Sequence, residues 1–86
     1  MARYEIVFAR SARREIEDLE ARTVERVMRK VEGLAADPGP SGCRKLVGRN
    51  NLWRIRVGDY RVIYAVDDDR RLVDVNAVRH RSKAYE

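Results

Sequence analysis

The chain has one cysteine, one histidine, one tryptophan and two prolines, and it has no long hydrophobic run. Each scarcity excludes something. The single thiol, Cys43, cannot form an internal disulfide, so nothing ties the fold to an oxidising compartment. It stands beside Gly42 in a polar loop, where a spectator thiol is the simplest reading. One histidine, with no Cys cluster or paired carboxylates at ligand spacing, cannot build a catalytic metal centre, and no cofactor is expected. No glycine-rich phosphate loop follows a strand, which argues against a nucleotide site. No apolar stretch approaches the roughly 18 residues of a membrane span, and strand-like sequence begins at once. A cytoplasmic protein without a membrane partner is the expectation.

What is present is charge, unevenly spread. Residues 1–40 carry eight basic and eight acidic side chains, whereas residues 41–86 carry eleven against six, the whole of the +5 excess. Between Arg44 and Val66 only Asp59 opposes six basic residues. Cations concentrated in one half of a small chain suggest a polyanionic partner, nucleic acid first. At 86 residues with 44% hydrophobic content, the chain reads as one folded domain, 1–86, with a modest core.

Along the chain, Tyr4–Phe8 is a short strand candidate. Ser11 can cap a helix in which Ala12, Ile16 and Leu19 recur at helical spacing. A second helix is expected from about Thr23 to Ala36, with Val24, Val27, Met28, Val31, Leu34 and Ala35 as its apolar stripe. Glu25–Arg29 and Arg29–Glu32 are spaced as ion pairs on its outer side. Pro38 and Pro40 end it. Arg44–Val47 reads as an edge strand leading to a Gly48–Asn51 loop.

The most informative segment is Leu52–Tyr64. Apolar Trp53, Ile55 and Val57 alternate with Arg54 and Arg56, and Gly58-Asp59 suits a two-residue type II′ turn. Val57 then faces Tyr60, Arg56 faces Arg61, Ile55 faces Val62 and Arg54 faces Ile63. Trp53, Tyr60 and Tyr64 fall on the core face, and Arg54, Arg56 and Arg61 share the other. Like charges opposite one another destabilise a sheet, so the cluster is easiest to explain if an anion sits on it. Asp67–Arg70 makes the next turn, with Arg70 and Arg71 as local partners of its aspartates, and Arg71–Val78 a last strand. Pairing Val66 with Arg71 sets Tyr64 opposite Val73 and Val62 opposite Val75. Ala77 then extends the apolar face, while Asp74 and Asn76 join the arginines to orient Arg61 or Arg81. The expected class is α+β, in the order β-α-α-β-β-β(-β). Two helices cover one side of a twisted, mainly antiparallel sheet, and the other side stays open and polar.

These residues resemble the RelE/ParE superfamily of type II toxins, and its RelE branch more than its ParE branch. The resemblance rests on an ordered set spanning the chain: the opening strand, Ser11-Ala12, Leu34-x-x-Asp37-Pro38, Lys45-Leu46-x-Gly48, the hairpin Trp53–Tyr64, and Val78-x-His80-Arg81-x-x-x-Tyr85. It implies a metal-independent mRNA endoribonuclease acting in the A site of the 70S ribosome. There a 2′-hydroxyl attacks the adjacent phosphate, leaving a 2′,3′-cyclic phosphate and a 5′-hydroxyl. It also implies a cognate antitoxin, an acidic and partly disordered chain that wraps the toxin.

By position, the resemblance makes Arg54, Arg56, Arg61, Arg81 and Tyr85 the catalytic face. Arg61 and Arg81 would clamp phosphate, and Tyr85 would stack on a base or orient the substrate. Arg44, Lys45, Arg49, Arg79 and Lys83 would contact RNA or the ribosome, although Lys45 could equally solvate an edge. Better-known relatives carry lysines where this chain has Arg54 and Arg56, and arginine is a poor base at neutral pH. That leaves His80, the one side chain whose ordinary pKa lies near neutrality, as either the base or a bystander. Two other readings share the fold: a ParE-like inhibitor of DNA gyrase, and an RNA- or ribosome-binding module without catalysis.

Overall fold

Val27, Val31 and Leu34 recur at helical spacing and are fully buried, which fixes the side that the second helix turns to the sheet. The computed structural model describes residues 3–40, 42–46 and 51–82. Its elements run β1 (Glu5–Phe8), α1 (Arg10–Glu17), α2 (Ala21–Gly33), β2 (Arg44–Lys45), β3 (Leu52–Val57), β4 (Tyr60–Asp67) and β5 (Leu72–His80). The sheet order is β1-β5-β4-β3-β2. Only β1 joins in parallel, along β5. The expected α+β layering holds: both helices lie on one face, and Ile55, Val57, Val62, Tyr64, Val73, Val75 and Val78 meet them in a single core.

Helix ends differ from the sequence expectation. Ala9, without a side-chain bond, caps α1, and the Ser11 hydroxyl instead donates to the Asn76 carbonyl at 3.1 Å. α2 starts at Ala21 and ends at Gly33, after which single turns carry the chain to Asp37. The Glu25–Arg29 pair forms at 3.1 Å, on the exposed side.

The β3–β4 register is the one read from the sequence, from Trp53↔Tyr64 to Val57↔Tyr60. The β4–β5 register is not. Val66 pairs with Val73, Tyr64 with Val75 and Val62 with Val78. One cause is a longer turn, in which Asp67 pairs with Leu72, the Asp67 carboxylate accepts the Arg70 N–H at 3.0 Å, and Arg71 sits at φ 53°. The other is a bulge: Ile63 pairs with Ala77 but Tyr64 with Val75, which leaves Asn76 unpaired. One extra residue exchanges the faces beyond it, so Val78 returns to the core while Ala77 and Arg79 cross to the open side.

Tyr64 is fully buried and its hydroxyl donates to the Pro38 carbonyl at 2.7 Å, pinning the loop after α2 to the sheet. Burial first, and then the neighbouring Cys43, push this hydroxyl well above the ordinary tyrosine value. The unfolded chain therefore releases this proton from about pH 10, where the folded chain still holds it, and stability falls as pH rises from there. Tyr64→Phe should cost about 1 kcal/mol at neutral pH. It should also flatten the alkaline slope by up to about 1.4 kcal/mol per pH unit. Urea melts of both proteins at pH 8, 10 and 11 check this, and parallel alkaline slopes would contradict it.

Candidate active site

Register and alternation place two rows of arginines on the sheet face turned away from the helices. One row crosses three strands: Arg56 on β3 pairs with Arg61 on β4, which pairs with Arg79 on β5. In the other, Arg44 on β2 pairs with Arg54 on β3, and Ile63 and Ala77 continue the line. The tight turn that sets Arg56 against Arg61 uses Gly58 at φ 60°, with no positive φ at Asp59, as a type II′ turn requires.

Arg61 differs from its neighbours. The residue is half-buried, but its Nε and Nη1 are buried, and neither has a hydrogen-bond partner among the described residues. A guanidinium keeps its charge throughout the physiological range. Leaving a buried donor unpaired costs about 1–3 kcal/mol, and more for a charged group. Arg56 on one side adds repulsion, while on the other Glu15 counters the charge of Arg79. An anion that meets the guanidinium from its exposed side would offset the charge.

Arg79 is held differently. Its Nε donates to Glu15 Oε2 at 3.0 Å, while Glu15 Oε1 accepts the Val78 backbone N–H at 2.9 Å. Past the end of β1, α1 thus takes over the edge of β5, with the Ser11 bond to Asn76 one step earlier. Glu15 was missed in the sequence, and no local signal could have found it: its partners lie 63 and 64 residues away.

A sequence model of the family described as "ParE toxin of type II toxin-antitoxin system, parDE" matches residues 6–85. The chain belongs to the RelE/ParE superfamily of type II toxins. Solved structures agree. The archaeal RelE–RelB complex of Pyrococcus horikoshii is 26% identical with a TM-score of 0.82, over 98% of this chain and all of that one. The RelBE2 complex of Mycobacterium tuberculosis is 27% identical at 0.80, over 91% and 98%. The isolated RelE toxin of Escherichia coli is 25% identical at 0.79, over 90% and 83%. A comparison with curated protein sequences finds no match.

Within this RelE-like toxin the structure brings Arg44, Arg54, Arg56, Arg61 and Arg79 onto one face, and leaves others apart. His80 pairs with Tyr60, its ring edge-on at 5.5 Å, so alternation puts it on the opposite face from Arg61. Its Nδ1 accepts the Ser82 N–H at 3.3 Å. Arg81 is exposed at the end of the sheet, where its backbone N–H donates to the Asp59 carbonyl at 2.7 Å. Lys45 pairs with Trp53 and its ammonium lies 5.9 Å from that ring, also away from the arginines. Asp74 pairs with Ala65, further along the ladder, and lines an acidic cavity with Asp67, Asp68 and Asp69. Neither its side chain nor that of the bulged Asn76 bonds to Arg61 or Arg81, contrary to the orienting role expected of them. Arg49, Lys83 and Tyr85 lie outside the described residues. Among the described residues, no three His, Cys, Asp or Glu side chains gather as a metal set, and no helix is long and apolar enough to cross a membrane.

Proposed function

We propose that this toxin is a metal-independent endoribonuclease that cuts mRNA in the ribosomal A site. The observation that carries the reading is Arg61, a half-buried arginine whose Nε and Nη1 are buried without a partner among the described residues, between Arg56 and the Glu15-paired Arg79. In the reaction the 2′-oxygen bonds to the adjacent phosphorus as its proton leaves. The P–O5′ bond then breaks, and the 5′-oxygen takes a proton. The products are a 2′,3′-cyclic phosphate and a 5′-hydroxyl. Charge builds on the non-bridging oxygens in between, and preorganised cations act there most strongly. Arg61 and Arg81 clamp the phosphate, Arg54 and Arg56 hold the strand on the sheet, and Tyr85 is assigned to stacking on a base or orienting the substrate.

None of the arginines is a competent base. With His80 across the sheet from Arg61, catalysis rests on charge stabilisation and alignment, and the ribosome supplies the proton acceptor. His80→Ala is therefore expected to cut within about threefold of wild type, a barrier change under about 1 kcal/mol, with an unchanged pH profile. A loss of 10²-fold, with a wild-type rate that rises through the imidazole range near pH 6.5, would instead make His80 the base.

The relatives from P. horikoshii and M. tuberculosis are complexes with antitoxins. That supports a cytoplasmic partner of the same kind here, an acidic and partly disordered chain that masks the arginine face or the helix pair. The deciding experiment maps 5′ ends of RNA in a translating extract and on the same RNA without ribosomes. Cuts confined to translated codons are expected. Equal metal-free cutting of naked RNA would remove the ribosome dependence. Because the matching family description is that of a ParE toxin, gyrase supercoiling is assayed alongside. Its inhibition with mRNA uncut would replace the nuclease reading.

A further inference from the structure

α2 presents Arg26, Arg29 and Lys30 on one side, at the spacing that aligns helical side chains. They meet the end of β3 in a groove of about 260 Å³ completed by Arg56, Val57 and Gly58. Arg29 is tied to Glu25, but Arg26, Lys30 and Arg56 make no hydrogen bond or ion pair among the described residues. Arg26 is also seated. A Cβ at Gly58 would lie 3.2 Å from its Nη2 and 3.3 Å from its Nη1, so the guanidinium rests on bare backbone at the hairpin tip. The glycine that the turn needs for its φ of 60° thus also makes room for a cation.

This groove communicates with the arginine face. β2 pairs with β3 at Trp53 and Arg54, and among the described residues no strand pairs with this edge of β3 at Arg56 or Val57. Arg56 belongs to both surfaces, as the cross-strand partner of Arg61 and as a wall of the groove. A strand held at Arg61 can turn round this edge without leaving positive charge. The groove suits a phosphate backbone better than a peptide. Protein interfaces draw their energy from desolvated apolar and aromatic anchors. Here the one apolar side chain, Val57, is 5% exposed and already spent in the core. Phosphates need cations alone.

We infer that the α2–hairpin groove binds backbone phosphates of the same RNA strand that Arg61 clamps, on one side of the scissile phosphate. This rests on the nuclease reading and extends it to a path: arginine face, Arg56 edge, Arg26/Lys30 groove.

The test uses the free toxin and fluorescent 2′-O-methyl oligoribonucleotides, which cannot be cut because the attacking oxygen is blocked. Lengths of about three and about eight nucleotides bracket a single small-domain site. Arg26→Gln/Lys30→Gln should bind the longer oligonucleotide about tenfold more weakly at low salt. Two lost phosphate contacts on a single strand should lower the slope of log Kd against log salt by about 1.4. The shorter one should bind as in wild type, whereas Arg61→Ala should weaken both. Unchanged affinity of the double variant for the longer RNA overturns the inference. So does an equal loss on both lengths, which would mark a diffuse field rather than a groove. Loss of affinity for an acidic antitoxin peptide with RNA binding intact would assign the groove to a protein and overturn it as well. Cleavage on ribosomes tests the parent reading separately. A toxin that cuts there while both glutamines leave RNA binding unchanged refutes the path alone.

Discussion

Replacing Arg61 with methionine is expected to give a more stable protein that no longer cuts RNA. Methionine fills nearly the same unbranched volume and brings no donor that needs a partner. The substitution removes two buried N–H groups that have no partner among the described residues, and the repulsion between Arg61 and its cross-strand neighbour Arg56. A gain of about 1–3 kcal/mol follows, since unmet burial of such donors costs that much. For a domain of this size each kcal/mol moves the midpoint by about 4–8 °C. Single-turnover cleavage on ribosomes should fall by about 10²-fold or more, because the charge that meets the developing phosphorane is gone.

Inorganic phosphate separates the two effects. Binding only the folded state raises stability by mass action, so millimolar phosphate should raise the wild-type Tm more than that of Arg61→Met. A variant that melts lower than wild type, with the same phosphate response, would mean that the guanidinium is stabilising without an anion. The phosphate-clamp reading would then lose its main support. Function and stability pull in opposite directions at this residue, as expected where a site is held ready for a ligand.

Glu15→Ala is expected to have the largest effect in the other direction. Its carboxylate is the acceptor for both the Val78 N–H and Arg79 Nε, at 2.9 and 3.0 Å. Hydrogen bonds to a charged group are worth about 1.5–3 kcal/mol each. The two side chains are 29% and 37% exposed, so water recovers part of the loss. A net cost of about 2–3 kcal/mol is expected in denaturant melts, with m unchanged. Glu15→Gln keeps one acceptor oxygen and should lose about half as much. Hydrogen exchange should speed up at Val78 in Glu15→Ala, because its amide then has no partner on the uncovered edge of β5. A variant within about 0.5 kcal/mol of wild type, with Val78 still protected, would show that α1 does not brace this edge. The freed Arg79 would also face Arg61 without its counter-charge.

The arginine hairpin was legible because its determinants are local. Alternation with period two, closed by a two-residue turn with glycine first, allows one register, and β3–β4 adopts it from Trp53↔Tyr64 to Val57↔Tyr60. The α2 stripe is local too: Val27, Val31 and Leu34 share a face through helical geometry alone, and all three are buried. Helix ends were less so, because Ser11 could cap α1 or reach Asn76, and only the proximity of β5 selected the second.

By itself, then, the sequence determined the layers, the helical stripe, the hairpin register and the gathering of Arg54, Arg56 and Arg61 on one face. Each follows from contacts between residues close in the chain. Tertiary structure alone decided that Asn76 bulges, which moved Arg79 beside Arg61 and set His80 across the sheet from it. At the bulge β5 meets β4 on one side and β1 and α1 on the other, partners distant in the chain that no single segment encodes. Burial of the Arg61 Nε and Nη1, the Glu15 brace and the seat of Arg26 on Gly58 depend likewise on elements that meet only when the chain closes. Side-chain chemistry was readable in advance. Which arginine buried two of its donors was a property of the assembled fold.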